Sequence, residues 1–140
     1  MLQIVIDTNV LVAALRSKRG ASYRLLRSIG DARWQANLSV PLLLEYEDVV
    51  KRPVSGISLS PREIDDILDF ICAASNLREI FYLWRPVLPD PKDDFILELA
   101  VESASDFIVT YNLKDFAGAE KFGIRALTPQ EFLSRLEEAS

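Results

Sequence analysis

The sequence contains no histidine, and this absence excludes several kinds of catalytic site. Without histidine the chain cannot form a Ser–His–Asp triad, a Cys–His pair or a histidine-ligated zinc site. Any hydrolysis would therefore depend on carboxylates, lysine, hydroxyl groups or a metal ion bound by oxygen ligands.

Cysteine is almost absent as well, since Cys72 is the single one. One cysteine cannot form a disulfide within the chain, and Cys72 lies in the apolar run of residues 67–74. We expect a buried free thiol in a reducing compartment. A nucleophilic role is disfavoured because no histidine is present to activate the thiol.

The sequence also lacks a long hydrophobic run and a basic leader. It begins with the strand-like stretch MLQIVIDTNV, and it has no stretch of about 18 apolar residues. We therefore expect a cytoplasmic protein with no membrane-spanning segment. A chain of 140 residues with 49% hydrophobic and 26% charged residues is typical of one globular domain, here residues 1–140.

Positive charge is in the minority, and the formal net charge is −5. This balance argues against broad, nonspecific binding of nucleic acid. A local group of basic residues follows the N-terminal segment, and we expect each of them to lie on a solvated face. The group consists of Arg16, Lys18, Arg19, Arg24 and Arg27.

Short apolar runs alternate with helical patterns along the chain. We predict strands at residues 2–6, 33–38, 79–84, 106–110 and 124–127. We predict helices at residues 8–16, 21–29, 41–51 and 61–75, another that Asp90 caps, and a last one that follows Thr128. Residues 60–63 and 128–131 are capping boxes at the starts of two of these helices. This order predicts a three-layer α/β/α fold with a central, mostly parallel sheet of about five strands.

Polar residues follow the first and fourth predicted strands. Asp7 comes directly after the first strand, and residues 110–115 follow the fourth. In doubly wound sheets, ligands bind beyond the carboxyl ends of the strands, near the switch in strand order. Each acid also has an ordinary structural interpretation, because Asp7 is a good helix N-cap and Asp115 and Asn112 are common turn residues.

A further acid, Glu45, lies in a predicted helix that is otherwise mostly apolar. Its neighbours Glu47 and Asp48 supply the ordinary solvent-exposed face of this helix. Glu45 is therefore the better candidate for an inward-pointing, functional carboxylate.

The adjacent acids Asp93 and Asp94 need different interpretations. If Asp90 is the cap, Asp93 occupies the third helical position, where a carboxylate stabilises the helix. Asp94 points about 100° further round the helix. We assign Asp93 to structure and Asp94 to chemistry.

Taken in order, these segments resemble a known family. The strand ending in IDTN, the helix LLLEYEDVV and the stretch DDFILELAVESASDFIVTYNLKDF are similar to the PIN domain, above all to the VapC-like toxins of type II toxin–antitoxin pairs. The resemblance covers essentially the whole chain. It implies a metal-dependent endoribonuclease that acts on RNA, a small antitoxin partner and a homodimer.

The resemblance also implies which residues form the site. It assigns the four catalytic and metal-binding acids to Asp7, Glu45, Asp94 and Asp115, with Asn9, Asp93, Thr110 and Asn112 in supporting positions. Many relatives carry an aspartate where this chain has Asn112. It stays open at this point whether Asp115 fully replaces that fourth acid.

The chemistry of the residues agrees with this assignment and leaves two other interpretations open. Carboxylates suit Mg²⁺ or Mn²⁺, as one ion or two, and need no histidine. A receiver-like phosphoacceptor domain is also acidic and α/β, but it requires adjacent acids after the first strand, where Asp7 stands alone. A noncatalytic PIN-like interaction domain is the other alternative, which Asn112 keeps open.

Overall fold

The computed structural model describes residues 1–79, 88 and 93–138. Its strands are β1 (Leu2–Ile6), β2 (Trp34–Leu38), β3 (Asn76–Leu77), β4 (Phe107–Val109) and β5 (Arg125–Leu127). Its helices are α1 (Thr8–Arg16), α2 (Ala21–Arg27), α3 (Val40–Val50), α4 (Pro61–Ala74), α5 (Asp94–Glu102) and α6 (Pro129–Glu138). Two 3₁₀ segments occupy Pro53–Ser55 and Leu113–Phe122.

The strands form one five-stranded sheet in the order β3-β2-β1-β4-β5. Every pairing between neighbouring strands is parallel, and Ile4 of β1 stands between Ala36 of β2 and Phe107 of β4. β1 is central and its residues Ile4 and Val5 are fully buried. The predicted α/β fold with a parallel sheet is confirmed.

Helix α6 is fixed to the sheet by an aromatic cluster. The Phe132 ring, which is fully buried, meets the Trp34 ring edge-on at 5.7 Å between centroids. The Phe107 ring lies 6.1 Å from the Phe132 ring on the other side. Trp34 and Phe107 belong to strands on either side of β1, so Phe132 covers the centre of this face of the sheet.

Both predicted capping boxes are present. At the start of α4, the Glu63 N–H donates to Ser60 Oγ over 3.2 Å, and the Ser60 N–H donates to Glu63 Oε1 over 3.1 Å. At the start of α6, Thr128 and Glu131 exchange the equivalent pair at 3.2 and 3.0 Å. These reciprocal bonds satisfy amide groups that a helix N-terminus leaves without partners.

Several boundaries differ from the prediction. The second helix ends at Arg27 instead of residue 29, and the chain turns at Gly30, which has φ +102°. α3 begins one residue early, at Val40, because Ser39 caps it by accepting from the Leu42 N–H.

The described residues include a strand at Asn76–Leu77, immediately after α4, that the sequence did not predict. The strand predicted at residues 79–84 is described only at Glu79, which is not part of a strand. Residues 80–84 of that prediction, and the predicted cap Asp90, lie outside the described residues.

Other side-chain predictions can be compared with the structure. Cys72 is part-buried against the core instead of fully buried. All five members of the basic group near the N-terminus are exposed, as expected. Within residues 1–79 and 93–138, no helix has both the length and the apolar character needed to cross a membrane.

The Phe132 cluster leads to a prediction about stability. Phe132→Ala should lower the free energy of unfolding by about 3–5 kcal/mol, the usual cost of removing a large aromatic ring from a core. The control is Phe70→Ala on α4, because Phe70 is 51% exposed and should cost much less. Urea unfolding measures both values, and equal losses for the two variants would contradict this account of the core.

Candidate active site

The candidate site lies at the carboxyl ends of β1 and β4, where the strand order of the sheet reverses. Asp7 follows β1 directly and Thr110 follows β4 directly. Because the two strands are parallel neighbours, the Asp7 N–H continues their pairing and donates to the Val109 carbonyl oxygen over 2.9 Å. This is the position at which parallel α/β sheets bind ligands.

The Asp7 carboxylate is buried and held at both oxygens. Thr110 Oγ1 donates to Asp7 Oδ2 over 2.8 Å, and the Thr8 N–H donates to Asp7 Oδ1 over 2.8 Å. Asp7 is also the N-cap residue of α1, so its structural and functional interpretations are compatible. Its position, not its residue type alone, makes it a candidate for chemistry.

Burial raises the pKa of the Asp7 carboxyl above its ordinary value, and the negative charges of Glu45 and Asp115 raise it further. The hydrogen bonds from Thr110 and Thr8 act in the opposite direction. No basic side chain of the described part of the chain is among the groups that shift this pKa. Asp7 is therefore a buried acid that lies near two other acids. None of the groups that shift its pKa provides the ion pair that usually stabilises a buried carboxylate.

Glu45 reaches the site from α3. The Thr8 hydroxyl donates to Glu45 Oε2, which links the start of α1 to α3. Next to Glu45, the buried Tyr46 hydroxyl donates to the Ile6 carbonyl oxygen and anchors α3 at the end of β1. Burial raises the pKa of the Tyr46 hydroxyl, which keeps it a neutral hydrogen-bond donor.

Asp115 and Asn112 enter from the segment after β4. The Asn112 N–H donates to Thr110 Oγ1 over 2.9 Å, and the Asp115 N–H donates to the Asn112 carbonyl oxygen over 3.1 Å. The backbone N–H of Asn112 thus orients the Thr110 hydroxyl that donates to Asp7. Asp115 lies in the first turn of the 3₁₀ segment and is half-buried, close enough for its charge to act on Asp7.

Asn9 also contributes to this region. Asn9 Oδ1 accepts from the Tyr111 N–H over 3.4 Å, which joins the first turn of α1 to the segment after β4.

Asp94 is the candidate acid that α5 contributes. It is buried at the first residue of α5, a helix that contacts both β1 and α3. Its Oδ1 accepts from the Leu88 N–H over 3.0 Å. Asp94 is not among the described groups whose charge shifts the pKa of Asp7.

Asp93 precedes the first residue of α5, in helical backbone geometry, and its side chain makes no capping hydrogen bond to this helix. The predicted stabilisation at the third helical position depended on Asp90 as the cap, which the structure does not describe.

Two residues near these acids were not singled out from the sequence. Thr8, in the IDTN stretch, contacts Glu45 through its hydroxyl and Asp7 through its amide. Glu98 is only 5% exposed and lies one helical turn after Asp94. The spacing of four residues places Glu98 and Asp94 on one face of α5, and this spacing was visible in the sequence.

The donor set fits a hard divalent cation by its chemistry. Carboxylate and hydroxyl oxygens are the ligands that Mg²⁺ and Mn²⁺ favour. Burial, and then the charges of Glu45 and Asp115, raise the pKa of Asp7, the central acid. The oxygens are not already assembled around one point. Within residues 1–79, 88 and 93–138, no three acidic or cysteine side chains converge tightly enough to form a ready metal site.

Comparison with known protein families shows which family this chain belongs to. The family model described as PIN domain matches residues 3–114, which is most of the chain. The chain belongs to the PIN domain family. The matched range includes Asp7, Glu45, Asp94 and Asn112, and ends one residue before Asp115. PIN domains are generally nucleases that use divalent metal ions.

A solved structure shows the same fold. It is the crystal structure of VapBC2 from Rickettsia felis bound to a DNA fragment from their promoter. One chain of that structure matches this PIN domain with a TM-score of 0.59 and 15% sequence identity, over 90% of this chain and 99% of that one. No curated protein sequence matches the chain.

The charge on Asp7 leads to a prediction about pH dependence. Because the folded state raises its pKa, protonated Asp7 stabilises the fold, and this contribution is lost as the pH rises through the folded pKa. In EDTA, Asp7→Asn should therefore be more stable than the wild type at about pH 8, and the difference should shrink towards about pH 4. Thermal unfolding measures the effect as a rise in Tm, at about 3 °C for each kcal/mol.

Asp7→Ala is the matched control for the capping role. Asparagine keeps a side-chain oxygen that can cap α1, whereas alanine removes the charge and the cap together. The alanine variant should consequently be less stable than the asparagine variant by about 0.5–2 kcal/mol. A destabilised Asp7→Asn at every pH would show that capping alone explains this residue.

Proposed function

We propose that this PIN domain is a metal-dependent endoribonuclease, the toxin of a toxin–antitoxin pair, that hydrolyses phosphodiester bonds in RNA in the cytoplasm. The observation that carries the proposal is the buried Asp7 at the strand-order switch, beside Glu45 and Asp115 and held by Thr110. The chain belongs to the PIN domain family, whose members are generally nucleases, and this supports a nuclease role for the acidic site.

The proposed metal ligands are Asp7, Glu45, Asp94 and Asp115, for one or two Mg²⁺ or Mn²⁺ ions. When bound, such an ion lowers the pKa of a water molecule and neutralises charge on the scissile phosphate. Asp7 follows β1 and Asp115 lies in the 3₁₀ segment after β4. Glu45 comes from α3 and Asp94 from α5. Each ligand therefore comes from a different element of the fold.

The supporting residues position these acids. Thr110 and Thr8 fix the two oxygens of Asp7, and Thr8 also holds Glu45 through its hydroxyl. Asn112 orients Thr110, and Asn9 joins α1 to the segment after β4. Asp93 flanks Asp94 at the start of α5. The chain thus supplies orientation and negative charge, and a bound cation would act as a Lewis acid towards the phosphate.

Surface features support protein partners. An apolar groove between α1, α2 and α4 is lined by Leu15, Tyr23, Leu26, Ile67 and Phe70, with Lys18 and Arg27 beside it. These basic residues suit an apolar segment with acidic flanks, and we propose this groove as the binding site of the antitoxin.

On α3, Val40 and Leu44 are exposed, as is Leu77 on the edge strand β3. We propose these apolar side chains for contact between the two copies of a homodimer.

Cleavage of RNA should require added metal. The purified chain, free of any partner, should cut labelled single-stranded RNA in Mg²⁺ or Mn²⁺ and should be inactive in excess EDTA. Asp7→Asn should lose at least about a hundredfold of this activity, since metal ligands contribute several kcal/mol to the transition state. Full activity in EDTA would contradict the proposal. A folded chain that is inactive with either metal would favour a noncatalytic interaction domain.

The two adjacent acids at the start of α5 should behave differently. Asp94 is buried on the helix, whereas Asp93 precedes it and is half-buried. Asp94→Asn should therefore abolish most cleavage while the protein still folds, and Asp93→Asn should keep most of it. Initial rates in Mn²⁺ and unfolding midpoints should be measured for both variants. Greater loss of activity in Asp93→Asn would mean that Asp93, not Asp94, is the ligand.

A further inference from the structure

Tyr111 occupies a distinctive position at the edge of the acidic site. It lies between Thr110, which donates to Asp7, and Asn112, whose N–H donates to the Thr110 hydroxyl. Its own N–H donates to Asn9 Oδ1 over 3.4 Å. The backbone of Tyr111 is therefore held on both sides by the residues that position Asp7.

The side chain of Tyr111 is exposed and yet fixed. The residue is 47% exposed. Its hydroxyl forms a hydrogen bond with the hydroxyl of Ser22, a buried residue of α2. This tether restricts the ring at its far end and leaves the rest of the side chain accessible to solvent.

We propose that the exposed ring of Tyr111 stacks on a nucleobase of single-stranded RNA and so places the neighbouring phosphate at the acidic site. The inference depends on the proposed ribonuclease function and adds a substrate-binding residue to it. Aromatic side chains bind bases of single-stranded nucleic acids by stacking, with little dependence on base identity. Tyr111 is a positioning residue for the substrate and takes no part in the bond-breaking step.

The charge of the protein gives a reason for such a contact. The chain carries a net charge of −5, and the site itself is a group of carboxylates, so the RNA backbone meets repulsion there. Stacking of the neutral Tyr111 ring on a base does not depend on the net charge of either partner, so it provides affinity that this repulsion does not cancel. Lys114, exposed three residues further on, adds a positive charge in the same segment.

The test separates the ring from its tether. Tyr111→Leu removes the ring, Tyr111→Phe keeps the ring without the hydroxyl, and Ser22→Ala removes the partner hydroxyl. Steady-state cleavage of single-stranded RNA in Mn²⁺ gives kcat and KM for each variant. Tyr111→Leu should raise KM about tenfold with a much smaller change in kcat, and Tyr111→Phe should bring KM back to within about threefold of the wild type. Phe122→Leu, at an aromatic residue that is 43% exposed at the end of the 3₁₀ segment, is the matched control and should leave both constants unchanged.

A spectroscopic measurement gives an independent readout. RNA that carries the fluorescent base 2-aminopurine loses emission when this base stacks on an aromatic ring. In EDTA, where no cleavage is expected, the wild type should quench this probe at one position of a short oligonucleotide, and Tyr111→Leu should not.

The possible outcomes separate this inference from the proposed function. Cleavage with an unchanged KM in Tyr111→Leu would overturn the role of Tyr111 and leave the ribonuclease function standing. Equal increases in KM for Tyr111→Leu, Tyr111→Phe and Ser22→Ala would show that the tether matters and the stacking does not. A wild type that neither cuts RNA nor quenches the probe would overturn both proposals.

Discussion

The buried negative charge of Asp7 is the constraint on which the rest of the site depends. Burial, together with the charges of Glu45 and Asp115, raises its pKa. Two hydrogen bonds and the N-terminus of α1, with its partial positive charge, oppose this effect. The two hydrogen bonds and the helix N-terminus act on Asp7 as dipoles. No basic side chain of the described residues is among the groups that shift the pKa of Asp7. An acid in such surroundings is stabilised further by a proton or by a cation, and the latter is what a carboxylate nuclease site requires.

The parallel sheet explains why residues so distant in sequence lie close together at the site. β1 and β4 are neighbours at the switch in strand order, so the residues that follow them, Asp7 and Thr110, share one edge of the sheet. The Tyr46 hydroxyl fixes α3 to the Ile6 carbonyl oxygen, the last residue of β1, and thereby places Glu45 beside Asp7. The same fixed edge carries Tyr111, so substrate contact and acid placement share one set of hydrogen bonds. The rigidity of the central strands is what makes these side chains precise in position.

Much of this arrangement could be predicted from the sequence, because its signals are local. Apolar runs and capping boxes indicated the sheet, α4 and α6, and the residue after a buried strand indicated Asp7. The short strand β3 could not be predicted, since Asn76–Leu77 contributes only two residues and both are exposed. The Thr8–Glu45 and Tyr46–Ile6 contacts depend on how α3 packs against β1, which no local pattern shows. Asp93 and Asp94 were separated by a helix register that depended on Asp90, which lies outside the described residues. The assignment of the metal ligands stays a prediction.

Asn112 is a neutral residue close to the acids of the site, and its role in positioning them does not depend on its side chain. The hydrogen bond that orients Thr110 comes from the Asn112 backbone N–H, which any residue except proline provides. Replacing a carboxylate by an amide at this position therefore preserves the positioning of Asp7 and removes one negative charge from its neighbourhood. Asp115, three residues later, still acts on Asp7 through its charge. Each additional negative charge near Asp7 would raise the free-energy cost of keeping this carboxylate ionised. A neutral residue at position 112 therefore limits the repulsion, while the Asp115 carboxylate stays close enough for its charge to act on Asp7.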